Sequence, residues 1–428
     1  MLSLPEPLRI PDFRYYWTAR FAAVLATMGM VVIIGYQVYD VARTDYGMSI
    51  KEASFQIGLL GLAQFVPIAL LTPLAGWVAD RFERRTVAGL ANAIDMLVAL
   101  ALGWLTHQDA LTLPLLFAFA ALHGIARVFV NPAMAAIAPN IVPAAQLPKA
   151  IAMSSIAWQT GSVAGPAIGG FLYAASPSAP YWAAAALMGL AMIALVPIRR
   201  VVPPPIAGER HPVRQMVEGV TYVRHHRFLL GAITLDLFAV LLGGATAMLP
   251  VYARDILHVG TEGLGLLRAA PAVGAAIVAI WYAFAPLKRN VGIKMLLSVA
   301  AFGAMTIAFG LSRSMPLSLL VLALLGGFDM LSVYVRSSLV QLHTPDAMRG
   351  RVSAVSGLAI SASNELGELQ SGVAAAILGP VAAVVAGGAA AMGIAGLWTY
   401  LFPELRRART FDPPPTALAE AIMEEKPA

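Results

Sequence analysis

The chain has 428 residues, of which 59% are hydrophobic and 12% charged, and its mean hydropathy is +0.75. This composition excludes a soluble globular domain and predicts a membrane protein. The absence of cysteine excludes disulfide scaffolds, thiolate metal sites and thiol nucleophiles. The net charge of +6 is not accompanied by a nucleic-acid motif, so we attribute it to basic loops beside a membrane and expect no nucleic-acid partner.

Apolar stretches of about 20 residues each predict one membrane-spanning helix. Residues 1–14 contain acidic residues and three prolines, so they do not resemble a cleavable signal peptide. Six spans are expected on each side of a polar segment, and all twelve are α-helical. In chain order they are 17–40, 54–79, 87–106, 112–136, 149–174 and 178–198, then 228–250, 261–285, 292–312, 316–340, 352–378 and 382–403.

The predicted organisation is a six-helix bundle at 1–198, a cytoplasmic linker at 199–227, a second six-helix bundle at 228–403 and a cytoplasmic tail at 404–428. Most of the 29 Lys and Arg residues lie in the N-terminal segment, alternate short loops, the linker or the tail. Because basic loops stay on the cytoplasmic side, both termini are expected to be cytoplasmic.

The two halves of the sequence resemble each other when one is shifted by 202 positions. The shift brings Gly124 onto Gly326, Gly165 onto Gly367 and Arg127 onto Asp329. Repeats of this kind place a substrate cavity between the halves, near the membrane midplane. The pattern therefore indicates a transporter with two pseudo-symmetric halves.

The fifth predicted helix carries a run of small residues: Gly161, Gly165, Pro166, Gly169 and Gly170. Glycines four residues apart lie on one helix face and allow another backbone to approach closely. The proline removes a backbone donor and bends the helix. We expect a smooth packing surface at which the helix can bend.

The loop after the second predicted helix contains Gly76, Asp80, Arg81, Arg84 and Arg85. This pattern resembles the cytoplasmic loop signature of the major facilitator superfamily, although Glu83 stands where that signature has glycine. The run at 161–170 is similar to the signature of proton-linked antiporters in the same superfamily. The resemblance implies twelve helices in two pseudo-symmetric bundles, and secondary transport by alternating access.

A narrower resemblance concerns segments 37–40, 235–237, 344–355 and 363–368. These segments are similar to the bacterial branch that includes the enterobactin exporter and the macrolide efflux proteins. The branch implies efflux of a small molecule across the bacterial inner membrane. The expected cargo is siderophore-like or drug-like, and multidrug efflux is included.

Asp80 is the predicted centre of a cytoplasmic gate. Asp80 can accept hydrogen bonds from the start of the eleventh predicted span, at 349–353, where the helix dipole is positive. Such a contact closes the cytoplasmic side and breaks on inward opening. The alternative is that Arg81, Arg84 and Arg85 only determine the topology.

Ionisable residues inside the spans are few, and each costs about 2.5–3.5 kcal/mol at the bilayer centre. Four carboxylates are the predicted proton carriers: Asp236, Glu365, Asp329 and Glu368. Glu365 and Glu368 share a helix face, so one of them is expected to hold a proton. A hydrogen-bonded structural pair is the alternative.

Arg127 stays charged and cannot cycle a proton. It is expected to hold a carboxylate or an anionic substrate, or to neutralise Asp329 or Asp95. Arg336 is expected near the cytoplasmic end with its guanidinium extended towards water. His123 is predicted to be a packed residue and not a metal ligand, so no metal and no cofactor are assigned.

Substrate contacts or charge pairing are assigned to Arg127, Gln37, Gln64, Trp158 and Gln159. Further polar or aromatic candidates for the cavity lining are Tyr36, Phe65, Phe238 and Phe328. Such a lining suits a bulky amphiphile. Packing within the helices is the alternative for each aromatic residue.

The chain has no phosphate-binding loop, nucleophile elbow or zinc-binding His-Glu motif, so an enzyme is not expected. We expect a monomeric exporter that is coupled to protons as an antiporter. Its expected partners are a small-molecule substrate, protons and the lipid bilayer. The alternatives are an uptake symporter, a lipid-moving carrier and a non-transporting scaffold.

Overall fold

The computed structural model describes residues 6–200, 212–285 and 287–411. In the first half, successive long helices run antiparallel to each other. They are α1 (Pro11–Thr44), α2 (Ile50–Arg81), α3 (Arg84–His107), α4 (Leu113–Ile141), α5 (Leu147–Ala175) and α6 (Ala179–Leu195). Short 3-10 turns lie at Glu6–Arg9 and Ala144–Gln146.

The second half begins with a short helix, α7 (Pro212–His225), and repeats the antiparallel arrangement. Its other helices are α8 (Arg227–Leu242), α9 (Leu249–Val251), α10 (Gly260–Phe284), α11 (Val291–Leu311), α12 (Met315–Leu342), α13 (Asp346–Leu378), α14 (Pro380–Leu401) and α15 (Pro403–Arg407). A 3-10 turn at Ala245–Met248 and a π-turn at Tyr252–Ile256 flank α9.

The helices agree with the predicted all-α fold of twelve spans. In the described part of the chain, nine helical segments are individually long and apolar enough to cross a membrane. The apolar α6 has 17 residues. With α5 and α13, which have 29 and 33 residues, the spans number twelve.

Two features were not predicted. The linker forms the helix α7 where only a polar segment was expected, and the seventh span is broken after Leu242 and continues to Ile256 instead of ending at 250. The predicted linker and tail lie partly outside the described residues, at 201–211 and 412–428. The predicted domain boundaries stay predictions.

We name the two ends of the bundle by their connections. The linker end contains α7 and the α2–α3 and α4–α5 connections, and the distal end contains the α1–α2, α3–α4 and α5–α6 connections. At the distal end, α2 begins with a reciprocal cap. The Ser49 backbone N–H donates to Glu52 Oε2 at 2.8 Å, and the Glu52 backbone N–H donates to Ser49 Oγ at 3.3 Å.

Internal glycines pack in the same way in both halves. On α4, a Cβ at Gly124 would lie 3.3 Å from the Gln64 carbonyl oxygen of α2, and the corresponding Gly326 on α12 packs against Pro271 of α10. Gly165 on α5 packs against α1, and Gly367 on α13 packs against α8. The 202-residue shift therefore relates helices with equivalent partners.

Two helix crossings join the halves, α2 with α13 and α5 with α10. A Cβ on Gly372 of α13 would lie 2.5 Å from Gly58 Cα of α2, and a Cβ on Gly170 of α5 would lie 3.0 Å from Gly265 Cα of α10. Because only hydrogen occupies the Cβ position of these glycines, the backbones come into direct contact. All four glycines lie in the distal halves of their helices, so the halves are joined there.

The linker end is open at the corresponding helices. A Cβ at Gly76 on α2, or at Gly350 or Gly357 on α13, would meet no atom within 4 Å. Polar contacts at this end include bonds within the first half, such as Lys149 Nζ to Glu6 Oε2 at 2.6 Å. This contact with Lys149 lowers the pKa of the exposed Glu6 carboxyl. The structure is therefore closed distally, and at the linker end these positions on α2 and α13 border open space.

The variant Gly372→Leu is expected to separate the halves at the distal end, because its side chain overlaps α2. Spin labels on Asp45→Cys and Glu262→Cys, both exposed at that end, measure the separation by double electron–electron resonance. We expect a shift to longer distances. The matched control is Gly393→Leu, at a position where a Cβ meets nothing within 4 Å. An unchanged distance distribution in Gly372→Leu would contradict the role of this crossing.

Candidate functional site

The first site lies where α4 of one half faces α13 of the other. Arg127 Nη1 donates to Gln64 Oε1 of α2 at 3.1 Å and lies 3.8 Å from Glu365 Oε1 of α13. The exposed fractions of the Arg127 and Glu365 side chains are 22% and 13%. With Glu368, one turn further along α13, these residues form the interface cluster. Arg127 thus contacts a carboxylate, and its predicted pairing with Asp329 or Asp95 is not the arrangement observed.

Gly61 of α2 allows α13 to approach at the two glutamates. A Cβ at Gly61 would lie 2.7 Å from Glu368 Cβ and 2.8 Å from the Glu365 carbonyl oxygen. The predicted placement of Glu365 and Glu368 on one face is therefore realised against α2. Their role as proton carriers stays a prediction.

The broken seventh span lies beside this cluster. After α8 ends, the Gly244 carbonyl accepts a hydrogen bond from Ser371 Oγ of α13 at 3.1 Å, and the Thr246 carbonyl accepts one from Arg268 Nη1 of α10 at 3.0 Å. Both carbonyls also accept a backbone N–H of the 3-10 turn, so each side chain adds a second hydrogen bond, from a neighbouring helix, at the break. This contact shows that Arg268 faces the break. The pair Gly243-Gly244 was the sequence signal for the break.

A second charged site lies inside the C-terminal half. The Arg336 guanidinium forms an ion pair with Asp236 of α8, and the two side chains are 5% and 7% exposed. Asp236 and Asp329 also line one small cavity with Ser298, Phe302 and residues near them. The prediction that Arg336 extends towards water is wrong, because the residue lies two turns inside α12 and faces a buried carboxylate. Asp236 and Asp329 are still predicted proton carriers.

A third buried pair lies inside the N-terminal half. His123 Nδ1 of α4 and Asp95 Oδ1 of α3 are 2.6 Å apart, with side-chain exposures of 1% and 3%. His123 Nε2 has no hydrogen-bond partner in the described part of the chain. The histidine is packed, as predicted, but its partner was not predicted.

The distal end carries an ion-pair cluster between α1 and the π-turn of the seventh span. Tyr39 Oη donates to Asp255 Oδ2 at 2.5 Å, and Arg43 Nη2 lies 3.4 Å from Asp255 Oδ1. Arg254 Nη1 lies 2.6 Å from Asp40 Oδ1 and donates to the Asp40 carbonyl oxygen at 3.2 Å. We call these five residues the distal cluster. Arg254 and Asp255 were missed because nothing in their local sequence indicates which helix they face.

The basic residues of the loop signature bind backbone carbonyls of neighbouring helices. Arg84 Nη1 donates to the Ala136 oxygen of α4 at 3.0 Å, and Arg85 Nη1 donates to the Ile198 oxygen beyond α6 at 2.7 Å. The Arg81 guanidinium lies 4.8 Å from the centre of the Trp77 ring. Asp80 lies near the end of α2, and its side chain is outside the described residues. The gate role of Asp80 therefore stays a prediction.

The predicted cavity residues separate into two groups. Gln37 was predicted to contact a substrate, but both ends of its amide are bonded inside the N-terminal half. Gln37 Nε2 donates to Thr106 Oγ1 of α3 at 3.1 Å, and Tyr181 Oη of α6 donates to Gln37 Oε1 at 2.6 Å. Gln64 is bonded to Arg127, as described above. Trp158 is 37% exposed and Gln159 is half-buried, so both remain candidates for contact with a substrate.

The small-residue run on α5 contacts two helices at once. Gly161, Gly165 and Gly169 face α1, where a Cβ on Gly165 would lie 3.1 Å from the Gly29 nitrogen. Pro166 and Gly170 face Gly265 of α10. The run therefore joins a crossing within one half to a crossing between the halves.

Two halves built in the same way from antiparallel helices, with paired charges between them, define a multi-pass membrane transporter. The Major Facilitator Superfamily model matches residues 19–368, and the chain belongs to this superfamily. The superfamily is a family of transporters and not of enzymes, which confirms the expectation from sequence.

Curated relatives include the enterobactin exporter EntS of Escherichia coli O1:K1 / APEC, 29% identical over 417 residues, which are 95% of each chain. EntS of Shigella boydii serotype 18 is 28% identical over 416 residues, again 95% of each chain.

Solved structures with the same fold include a bacterial homologue of the human lysosomal transporter Spinster in an inward-facing, unoccupied conformation. Its TM-score is 0.69 at 16% identity, with 92% of this chain and 98% of that chain covered. A D-xylose-proton symporter has a TM-score of 0.67 at 15% identity, with coverages of 91% and 98%. These similarities confirm the twelve-helix fold.

The variant Arg254→Ala is expected to weaken distal closure, because it leaves Asp40 without its ion-pair partner. Pairs of this exposure contribute about 0.2–1 kcal/mol, so the distally open population should rise up to about fivefold. The spin-label distance between Asp45→Cys and Glu262→Cys measures the change. The exchanged pair Asp40→Arg/Arg254→Asp should partly restore closure, and Lys149→Ala, at the other end, serves as control. Equal distances in all variants would contradict the role of the distal cluster.

The variant Arg336→Met should lower the free energy of unfolding by about 3–5 kcal/mol, since it leaves the buried Asp236 charge unpaired. The double variant Asp236→Leu/Arg336→Met should lose much less. Unfolding in mixtures of detergent and dodecyl sulfate measures both. Arg313→Met, at an exposed position between α11 and α12, is the control. If the double variant were as unstable as Arg336→Met, the unpaired charge would not be the cause.

Proposed function

We propose that this chain exports a siderophore-like or drug-like amphiphile across the bacterial inner membrane in exchange for protons. The observation that carries the proposal is the interface cluster, in which Arg127 of one half approaches Glu365 of the other. A charged contact between the halves has to change when they move against each other, so a ligand and a proton can both act on it. The similarity to the enterobactin exporters supports the class of substrate and the direction.

The distribution of basic residues supports a cytoplasmic linker end. Many Lys and Arg residues lie at this end, among them Arg84, Arg85, Arg199, Arg227 and Arg351. At the distal end the basic residues near the membrane surface are few: Arg43, Lys51, Arg254 and Arg313. Basic residues concentrate on the cytoplasmic side of membrane proteins. In this orientation, the conformation described above is open to the cytoplasm.

Alternating access then exchanges one closed end for the other. Opening to the outside breaks the distal cluster and separates the glycine crossings at Gly58 and Gly170. Closing the cytoplasmic end brings Asp80 of α2 towards the start of α13, at 349–353, where N–H groups and the helix dipole favour an anion. The bonds that Arg84 and Arg85 make to α4 and α6 keep the loop attached to its own half while it moves.

Proton coupling is assigned to Glu365. When Glu365 is ionised it holds Arg127, or it accepts hydrogen bonds from a bound substrate. When it is protonated it loses the charge that attracts both. Substrate binding from the cytoplasm therefore requires that the proton leaves Glu365 for water, and proton binding from the outside displaces the substrate. The two ligands exclude each other, which is the condition for antiport.

The chemistry of the interface cluster suits phenolic hydroxyls. A catechol has two adjacent oxygens that accept hydrogen bonds from a guanidinium such as that of Arg127, and its hydroxyl protons can be donated to the Glu365 or Glu368 carboxylate. Exposed Trp158 on α5 offers an aromatic surface for the ring. This combination favours an aromatic amphiphile over a sugar.

The variant Glu365→Gln is expected to abolish proton release that is triggered by substrate, because a glutamine cannot donate or accept the transported proton. Purified protein in liposomes with an internal pH dye is challenged with enterobactin, erythromycin and ethidium. Wild-type protein should release protons with at least one of them, and radiolabelled cargo should move out of the compartment that the linker end faces.

The matched controls are Glu368→Gln, which keeps Glu365, and Gln370→Glu, which adds a carboxylate on the same helix away from Arg127. Glu368→Gln should retain part of the response, and Gln370→Glu should leave it unchanged. Cargo movement together with the proton in one direction would indicate an uptake symporter. Wild-type transport without proton movement, or full coupling in Glu365→Gln, would contradict the assignment.

A further inference from the structure

The interior of the N-terminal half contains very few charges. In the apolar segments of α1–α6, Asp95, His123 and Arg127 are the only Asp, Glu, Lys, Arg or His residues. These segments are 21–39, 53–79, 86–106, 113–141, 150–175 and 179–195. Arg127 faces the interface cluster, so Asp95 and His123 are the two interior groups that exchange protons and have no role in the proposed transport step.

The two side chains contact each other, and one polar atom of the pair has no hydrogen-bond partner in the described part of the chain. Their 2.6 Å contact uses His123 Nδ1, and both side chains are almost completely buried. His123 Nε2 is also buried and has no hydrogen-bond partner in the described part of the chain. A buried polar atom without a partner is unfavourable and needs an explanation. An imidazole nitrogen in this position can accept a proton.

The charge of the pair favours the uptake of one proton. With a neutral imidazole, the carboxylate leaves one negative charge in an apolar interior. A proton on Nε2 makes the histidine an imidazolium that donates to Asp95 through Nδ1, and the pair becomes neutral overall. Burial disfavours a net charge, and imidazole exchanges protons near neutral pH. The same arrangement, an imidazole oriented by a carboxylate on its other nitrogen, makes the outer nitrogen a proton acceptor.

We propose that His123 and Asp95 form a second proton-binding site, in the N-terminal half, which takes up a proton on His123 Nε2 and returns it during the transport cycle. Its place in the cycle rests on the proposed proton-coupled export. The proton-binding property itself does not, because it follows from the geometry of the pair.

The neighbours of the pair connect it to the interface cluster. Arg127 lies one helical turn after His123 on α4, and Arg127 Nη1 lies 3.8 Å from Glu365 Oε1 of α13. When the pair is unprotonated, its negative charge competes with Glu365 for Arg127. When it is protonated, the competition ends and Arg127 is held by Glu365 alone. Besides tyrosines, the segments of α1, α2, α5 and α6 given above add no titratable group.

The test is the protonation of His123 in the purified wild-type protein, followed by nitrogen-15 NMR of histidine-labelled protein in lipid nanodiscs. The chain has seven histidines. The signal that is lost in His123→Gln identifies the residue, and glutamine keeps a donor for Asp95. We expect that signal to change from neutral imidazole to imidazolium between about pH 9 and pH 5. Asp95→Asn, which removes the carboxylate that contacts Nδ1, should change the pH dependence of this signal.

A His123 signal that does not change between these pH values would overturn the proposal and leave a purely structural pair. If His123→Gln did not fold, the protein labelled only at His123, with the other six histidines replaced, would give the same measurement. Transport gives an independent readout: His123→Gln should release fewer protons per cargo molecule than wild type but still move cargo. Failure of the export proposal would remove this readout and leave the NMR result unchanged.

Discussion

A charge inside a hydrocarbon layer requires a partner, and this requirement decides where the ionisable residues of this protein lie. Each of the buried carboxylates Asp95, Asp236 and Glu365 faces a histidine or an arginine. Two of these pairs, His123–Asp95 and Asp236–Arg336, lie inside one half. The Arg127–Glu365 pair joins the two halves. Of the three pairs, it is therefore the one whose geometry depends directly on how the halves are placed.

The contacts between the two halves are made by glycines. The crossings at Gly58–Gly372 and Gly170–Gly265 bring backbones together without interlocking side chains. One backbone can therefore move on the other without the large rearrangement that interdigitated side chains would need. The small-residue run on α5 extends this property to the contact with α1. The resemblance to an antiporter signature thus has a physical counterpart, a helix that contacts both its own half and the opposite half through glycine.

The break in the seventh span is attached to two neighbouring helices. The Gly244 and Thr246 carbonyls, which accept backbone N–H groups of the 3-10 turn, also accept hydrogen bonds from Ser371 and Arg268. The π-turn that follows carries Arg254 and Asp255 to the distal cluster. An irregular segment is thereby placed between the glutamates of the interface cluster and the closed distal end.

The twelve spans, their order, the superfamily and the repeat could be predicted from the sequence, because runs of apolar residues and internal similarity are properties of the chain alone. Helical spacing also places Glu365 and Glu368 on one face. Which side chains meet depends on the packing of the helices. Gln37 was expected in the cavity and bonds inside the N-terminal half, Arg336 was expected to reach water and pairs with Asp236, and the His123–Asp95 pair was not predicted. Those outcomes depend on the rotation of each helix about its axis and on the distance to its neighbours, which hydropathy does not encode.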